Sequence, residues 1–257
     1  MGIFNELLSE IGLGSARVDL VLDRQEYRLG DEIKGKLVVH SGSLDKKVEM
    51  IYLHLKMDAK QGIEHLVRIV NSVQISDGFN IKANAPQKEY SFTYRLPYYT
   101  PVSAKHISYK LAISINTKNA AHPHNFVPVK ILPSLEMEAV LKGLQQLGFV
   151  NKDGSEEMDH DHQNFVFRPT NFMQGKFDEL EIMFNQNNSN LYLYLEIDRK
   201  ARGLSWLFMK PLYLDERHSR FTIPASELVT NGLPNVERAS KLLSSFIQQE
   251  FKQNNLL

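Results

Sequence analysis

Cysteine is absent from the chain. That excludes a disulfide framework, thiol catalysis and thiolate metal sites. An excess of either charge is missing too, since 30 Lys and Arg face 30 Asp and Glu. The broad basic field that nonspecific nucleic-acid binding requires is therefore excluded, and no acidic tail points to a basic partner. No apolar run approaches the roughly 18 consecutive residues of a membrane-spanning helix. A secretory signal joins a basic start to an apolar run, whereas Glu6 and Glu10 interrupt the first turns. Gly2 follows Met1, but Glu6 stands where an N-myristoylation motif requires Ser or Thr. What is present is a 257-residue chain with 42% hydrophobic residues. That is enough for one large domain or two smaller ones. The expectation is a cytoplasmic protein with no nucleic-acid partner and no stable membrane insertion.

The first residues have helical spacing. Ile3, Phe4, Leu7, Leu8 and Ile11 share a face, and Gly12 and Gly14 stop the run. From Ser15 to about Ile131 the period changes to two. Ile51, Leu53, Leu55 and Met57 alternate with Tyr52, His54 and Lys56. Val67, Ile69, Val73 and Ile75 fall on one parity, interrupted by Asn71. Tyr90, Phe92, Tyr94 and Leu96 share a face, and Ile107, Tyr109, Leu111, Ile113 and Ile115 alternate most cleanly. Each run predicts a strand with one buried and one solvated face. Turn residues separate the runs at Leu29-Gly30-Asp31, Ser41-Gly42-Ser43 and Asp77-Gly78. Many strands with short polar connections describe an antiparallel sandwich.

Helical spacing returns after Pro133 and Ser134. Met137, Val140, Leu141, Leu144 and Leu147 recur at helical intervals, Glu136 and Glu138 occupy the first turn, and Gly148 ends the run. Such a helix is either a linker between domains or a crossover inside one, and renewed strand signals beyond it favour the linker. A second strand-rich region begins near Phe149, and after the polar stretch Asn151 to Gln163, Phe165 and Phe167 alternate with Val166 and Arg168. Phe177, Leu180, Ile182 and Phe184 continue it, although Asp178-Glu179 breaks the alternation. Leu191, Leu193, Leu195 and Ile197 then alternate with Tyr192, Tyr194, Glu196 and Asp198, so this pair reads as a hairpin. A final amphipathic helix carries Val236, Ala239, Leu242, Leu243, Phe246 and Ile247 behind the candidate cap Asn235. The expected domains are residues 1–133, a sandwich with its N-terminal helix; 134–148, the linker helix; 149–230, a second sandwich; and 231–257, the C-terminal helix.

Motifs that carry chemistry are scarce. The sequence has no Walker-type phosphate loop, no His-Glu-x-x-His helix and no Gly-x-Ser-x-Gly elbow. His160-Asp161-His162 places two imidazoles on alternate residues, and His122-Pro123-His124 repeats the spacing. On an extended strand such a pair shares a face and can approach one ion, yet neither group has a third ligand at a characteristic zinc spacing. Arg202, in a charged run that leads to Trp206, is a candidate for a polar clasp. Tyr98-Tyr99, between Pro97 and Pro101, is a candidate aromatic anchor for a partner.

Several stretches resemble the bacterial sporulation-control protein M family. They are Met1-Gly2-Ile3-Phe4, Ile11 to Asp19, Tyr27-Arg28-Leu29-Gly30-Asp31-Glu32-Ile33-Lys34-Gly35, the helix Met137 to Gly148, Phe177 to Glu181, and Leu195 to Leu204. Phe92, Leu96-Pro97, Pro101, Ser103 and Tyr109-Lys110-Leu111 resemble the strand-turn-strand pattern of arrestin-like domains. The resemblance implies an all-β chain of tandem arrestin-like β-sandwiches, to which the helical spacing adds short amphipathic helices at both ends and between the domains. It also implies a non-enzymatic regulatory role, with no cofactor and no catalytic residue. The expected mode of action is binding of protein partners, through exposed sheet edges or a groove between the domains. Pairing with a second copy through the terminal helices stays open. The alternative is a sensor for a metal or small ligand built on His160, Asp161 and His162.

Overall fold

Period-two alternation in the first half becomes strands in the computed structural model, which describes residues 16–61, 64–115, 124–152, 155–159, 162–198 and 219–253. The chain divides into two units, Met1–Leu132 and Pro133–Leu257. In the first unit the strands are β1 (Arg17–Leu22), β2 (Glu26–Arg28), β3 (Glu32–His40), β4 (Lys46–Val48), β5 (Ile51–Gln61), β6 (Glu64–Ser76), β7 (Phe79–Ile81), β8 (Lys88–Arg95), β9 (Ile107–Ile115) and β10 (His124–Leu132). They make a three-stranded sheet in the order β1-β3-β8, a five-stranded sheet in the order β2-β10-β9-β5-β6, and the small pair β4-β7. Pairing is antiparallel throughout these sheets except between β2 and β10, which run parallel. Val18, Leu20, Ile33, Leu37, Val39, Phe92 and Tyr94 from the first sheet are buried. So are Leu53, Leu55, Met57, Tyr109, Leu111, Ile113, Val129 and Ile131 from the second. Their alternation with exposed neighbours gives each sheet one core face.

One strand departs from the simple alternation. Between β5 and β6 the register passes from Leu55↔Asn71 to Lys56↔Ile69, which leaves Val70 as an extra residue. Such a bulge moves everything beyond it to the opposite face. Val67 and Ile69 therefore do not share a face with Val73; they turn outward beside Asp58 and Lys56, 45% and 40% exposed. Leu66 and Arg68 take the inward positions opposite Ala59 and Met57.

In the second unit, α1 (Leu135–Gln146) precedes β11 (Phe149–Asn151), β12 (Glu157–Asp159), β13 (His162–Pro169), β14 (Glu179–Gln186), β15 (Asn190–Asp198) and β16 (Ser219–Pro224). A short α2 (Ala225–Leu228), the pair β17 (Val229–Thr230) and β18 (Leu233–Pro234), and α3 (Val236–Gln253) complete it. The sheet order is β11-β13-β14-β15-β16, with β12 also paired to β13. Asn187 Oδ1 accepts the backbone N–H groups of Ser189 and Asn190, both at 2.9 Å, and closes the β14–β15 hairpin. Phe165, Phe167, Leu180, Ile182, Leu191, Leu193 and Leu195 are buried on one face. Among the described residues the layer packed on that face is helical. Phe246 of α3 stacks on Phe221 of β16 at 4.3 Å, and Phe251 lies 6.3 Å from Phe177.

The helix ends follow their local chemistry. Ser134 Oγ accepts the Met137 N–H at 3.1 Å, and Gly148, at φ 83°, closes the other end of α1. Asn235 Oδ1 accepts the Arg238 N–H at 3.1 Å at the start of α3. Helix α1 packs along α3 inside the second unit, with Ser240 Oγ donating to the Gly143 carbonyl at 3.2 Å. Glycine is required at this crossing. A Cβ on Gly143 would stand 3.1 Å from both Leu243 Cδ1 and Ser240 N, and 3.2 Å from Ala239 Cβ. Gly143→Val should therefore force the helices apart and destabilise the fold by about 1–3 kcal/mol. Urea titration followed by circular dichroism reads this, and an unchanged midpoint would contradict the close crossing.

Candidate interaction site

The outer face of the five-stranded sheet and its β6 edge carry apolar, aromatic and charged groups side by side. Across this face Ile69 of β6, Lys56 of β5, Lys110 of β9 and Pro128 of β10 are successive register partners. Val67, Asp58 and Ser108 form the adjacent row. Lys56 Nζ lies 5.4 Å from the ring centre of Phe126, itself 37% exposed. His65 Nε2 meets Asp58 Oδ1 at 2.6 Å.

Farther along the same face a polar chain runs from half-buried Ser72 to two groups withdrawn from water, His54 and Ser114. His54 is fully buried and spans two hydroxyls, with Nδ1 2.5 Å from Ser72 Oγ and Nε2 2.7 Å from Ser114 Oγ. A neutral imidazole carries one donor and one acceptor nitrogen, so one serine donates to the ring and the other accepts from it. Burial holds the His54 pKa below its ordinary value, because no water remains to solvate an imidazolium. The three residues act as a polar staple across β6, β5 and β9. Periodicity gave no hint of them, since Ser72 and Ser114 lie 18 and 60 positions from His54.

The aromatic pair proposed from sequence separates into two roles. Tyr98 covers Gly30, whose φ is 83°, and a Cβ there would come within 2.6 Å of the Tyr98 ring. Beneath it Gly30 N–H donates to the Leu96 carbonyl at 3.0 Å, and Asp31 Oδ2 accepts from Arg28 N–H at 2.9 Å and Arg24 Nη2 at 2.8 Å. Tyr27 is fully buried and donates to Asp23 Oδ1 at 2.6 Å. Burial, then the bond to Asp23, raises its pKa well above the ordinary phenol value. Tyr98 thus belongs to a structural turn. Tyr99 is 64% exposed, and Asn71 Nδ2 donates to its hydroxyl at 2.8 Å. The residue that interrupts the β6 pattern is the one that holds the exposed ring. Beside it, Tyr94 Oη and Thr100 Oγ1 are buried without a hydrogen-bond partner among the described residues, a cost of about 1–3 kcal/mol per group.

The remaining sequence candidates are not brought together. His160, Asp161 and Arg202 lie outside the described residues, as do Pro123 and His122. His162 is exposed at the start of β13, opposite Asp159. Among the described residues no group of three His, Cys, Asp or Glu side chains is arranged to hold a metal ion, and no helix is long and apolar enough to cross a membrane. Glu156, with its pKa raised by burial against the opposing bond from Asn151, sits on the β12 side of the second unit. Lys152 and Arg168 reach Glu179 at 2.6 Å and 3.5 Å, which neutralises that corner.

Comparison with known proteins decides the family. The Spo0M family model, described as SpoOM protein, matches residues 4–201. The chain belongs to the Spo0M family. It is similar to the sporulation-control protein spo0M of Bacillus subtilis (strain 168), 27% identical over 242 residues that cover 89% of this chain and 93% of that protein. A crystal structure of Spo0M from Bacillus subtilis has the same fold, with a TM-score of 0.71 at 22% identity over 93% of this chain and all of the other. The mostly β architecture is therefore that of Spo0M, and similarity to a sporulation-control protein supports a regulatory role.

The buried histidine makes a measurable difference. The unfolded chain takes up a proton on His54 as pH falls below about 6.5, while the native state resists protonation until lower pH. Stability from this site is complete above that pH and is lost as pH falls through it. The urea midpoint should therefore drop between pH 7.5 and pH 5.5, and the drop should be smaller in His54→Gln. Equal drops in both proteins would show that His54 is not held neutral.

Proposed function

We infer that this chain is a non-enzymatic regulatory protein of the sporulation-control type, acting in the cytoplasm by binding other proteins. The observation that carries the reading is the presentation of unpaired apolar and aromatic groups on a rigid sheet. Val67, Ile69 and Phe126 are exposed on the outer face of the five-stranded sheet, and Tyr99 is exposed where Asn71 of the same edge strand holds its hydroxyl. Exposed aromatic and aliphatic groups on fixed elements suit an interface, because little side-chain or backbone entropy remains to be lost on binding. Similarity to the Bacillus subtilis protein supports the sporulation-control role.

Complementation tests this. Expression of the chain in a Bacillus subtilis strain lacking its own spo0M should restore normal control of spore yield. A folded, expressed chain that leaves the yield of the deletion strain unchanged would contradict the reading.

A further inference from the structure

The net charge of zero conceals a division. Residues 1–132 carry 17 Lys and Arg against 13 Asp and Glu, and residues 133–257 carry 13 against 17. From Tyr90 to Leu135 the chain has no Asp or Glu at all, while Arg95, Lys105, Lys110, Lys118 and Lys130 fall within it. Strands β9 and β10 come from this acid-free stretch. On the outer face of their sheet Lys110 stands directly opposite Lys56. Like charges in register repel, and no carboxylate among the described residues forms an ion pair with either ammonium group. The nearby acids are engaged elsewhere, Asp58 with His65 and Glu26 with Lys130 at 3.4 Å.

The edge beside this pair is also unsatisfied. Among the described residues strand β6 pairs only with β5, so one side of its backbone is placed to offer N–H and C=O groups to a further strand. Beyond the bulge that edge carries exposed Val67 and Ile69, and Ile69 is the register partner of Lys56. The run Leu66-Val67-Arg68-Ile69-Val70 has no proline and no outward charge; the edge devices it does carry are the bulge at Val70 and the inward Arg68. An apolar strand edge next to an uncompensated pair of lysines fits one kind of ligand.

We propose that the outer edge of β6, from His65 to Val70, is the docking strand for an extended acidic segment of a protein partner. The segment adds a strand to the sheet through main-chain hydrogen bonds. Its apolar side chains cover Val67 and Ile69, and its carboxylates turn toward Lys56, about two strand spacings or 10 Å away. Two extended side chains close that distance. Lys110 reinforces the attraction from the next strand. This assignment rests on the protein-binding reading above and names its surface and the chemistry of the partner.

Three ten-residue fluorescent peptides test it by anisotropy with the full chain: alternating Glu and Val, alternating Gln and Val, and the Glu-Val peptide N-methylated at every second residue. The Glu-Val peptide should bind, and its affinity should fall at least tenfold in Lys56→Glu, in Ile69→Asp and on raising the salt from 50 mM to 500 mM. The Gln-Val and N-methylated peptides should bind at least tenfold more weakly. No binding of the Glu-Val peptide, or equal binding by Lys56→Glu, overturns the proposal. Equal binding of the N-methylated peptide overturns strand addition. Binding to phosphatidylglycerol vesicles that Lys56→Glu abolishes, with no peptide binding, assigns the face to a membrane instead. Circular dichroism confirms the fold of each variant. In the complementation strain, a Lys56→Glu chain that works as well as the native one overturns this surface while leaving the regulatory reading intact, whereas failure of the native chain itself is failure of that reading.

Discussion

The extra residue Val70 in β6 decides which side chains of a 13-residue edge strand meet water. Ahead of it in the hairpin, Leu66 and Arg68 face inward, and Arg68 lies near enough to Tyr109 to oppose the effect of burial on that phenol. Past it, Asn71 and Val73 take the inward positions opposite Leu55 and Leu53. An unbroken strand would put Val67 and Ile69 on the core side and Arg68 on the face beside Lys56, removing the apolar edge and adding a third positive charge. The bulge also sets Asn71 where it can hold the Tyr99 hydroxyl. Two exposed features, the apolar edge and the anchored ring, depend on one backbone irregularity.

What surrounds the bulge is stiff. The staple from Ser72 through His54 to Ser114 ties three adjacent strands on the outer face, and the buried alternation of β5 and β9 ties them on the inner one. Tyr109 extends the hold by donating to the Pro101 carbonyl at 2.7 Å, which pins the loop that carries Tyr98 and Tyr99. A surface built on such elements changes little on binding and loses little entropy. Among the described residues of the second unit, helices pack on the sheet, with an aromatic contact from β16 to α3. That unit's excess of acid balances the excess of base in the first unit.

Much of the fold was legible because period two and period 3.6 are direct consequences of backbone geometry. Alternation over Ile107 to Ile113 and Leu191 to Ile197 matches β9 and β15, and Ser134, Gly148 and Asn235 stand at the helix ends they mark. Parity alone puts Val67 and Ile69 on the face of Val73, because it carries no sign of a residue inserted between two pairs. Asn71, the one polar residue on that parity, was the visible clue. The site was less legible. Tyr98 and Tyr99 look equivalent as neighbours, but only the nearness of Gly30 to one and of Asn71 to the other separates a packing ring from an exposed one. The lysine pair was missed because whole-chain charge balance averages over two unlike units, although the acid-free run from Tyr90 to Leu135 was open to counting.

The cysteine-free chain gives a clean background for testing the bulge itself. Single substitutions Leu66→Cys, Val67→Cys, Ile69→Cys and Val73→Cys, each reacted with a maleimide dye under native conditions, report which side chains face water. Faster labelling at positions 67 and 69 than at 66 and 73 is the outcome that the bulge predicts. Labelling that groups 67, 69 and 73 together as slow would contradict the central claim and return β6 to unbroken alternation.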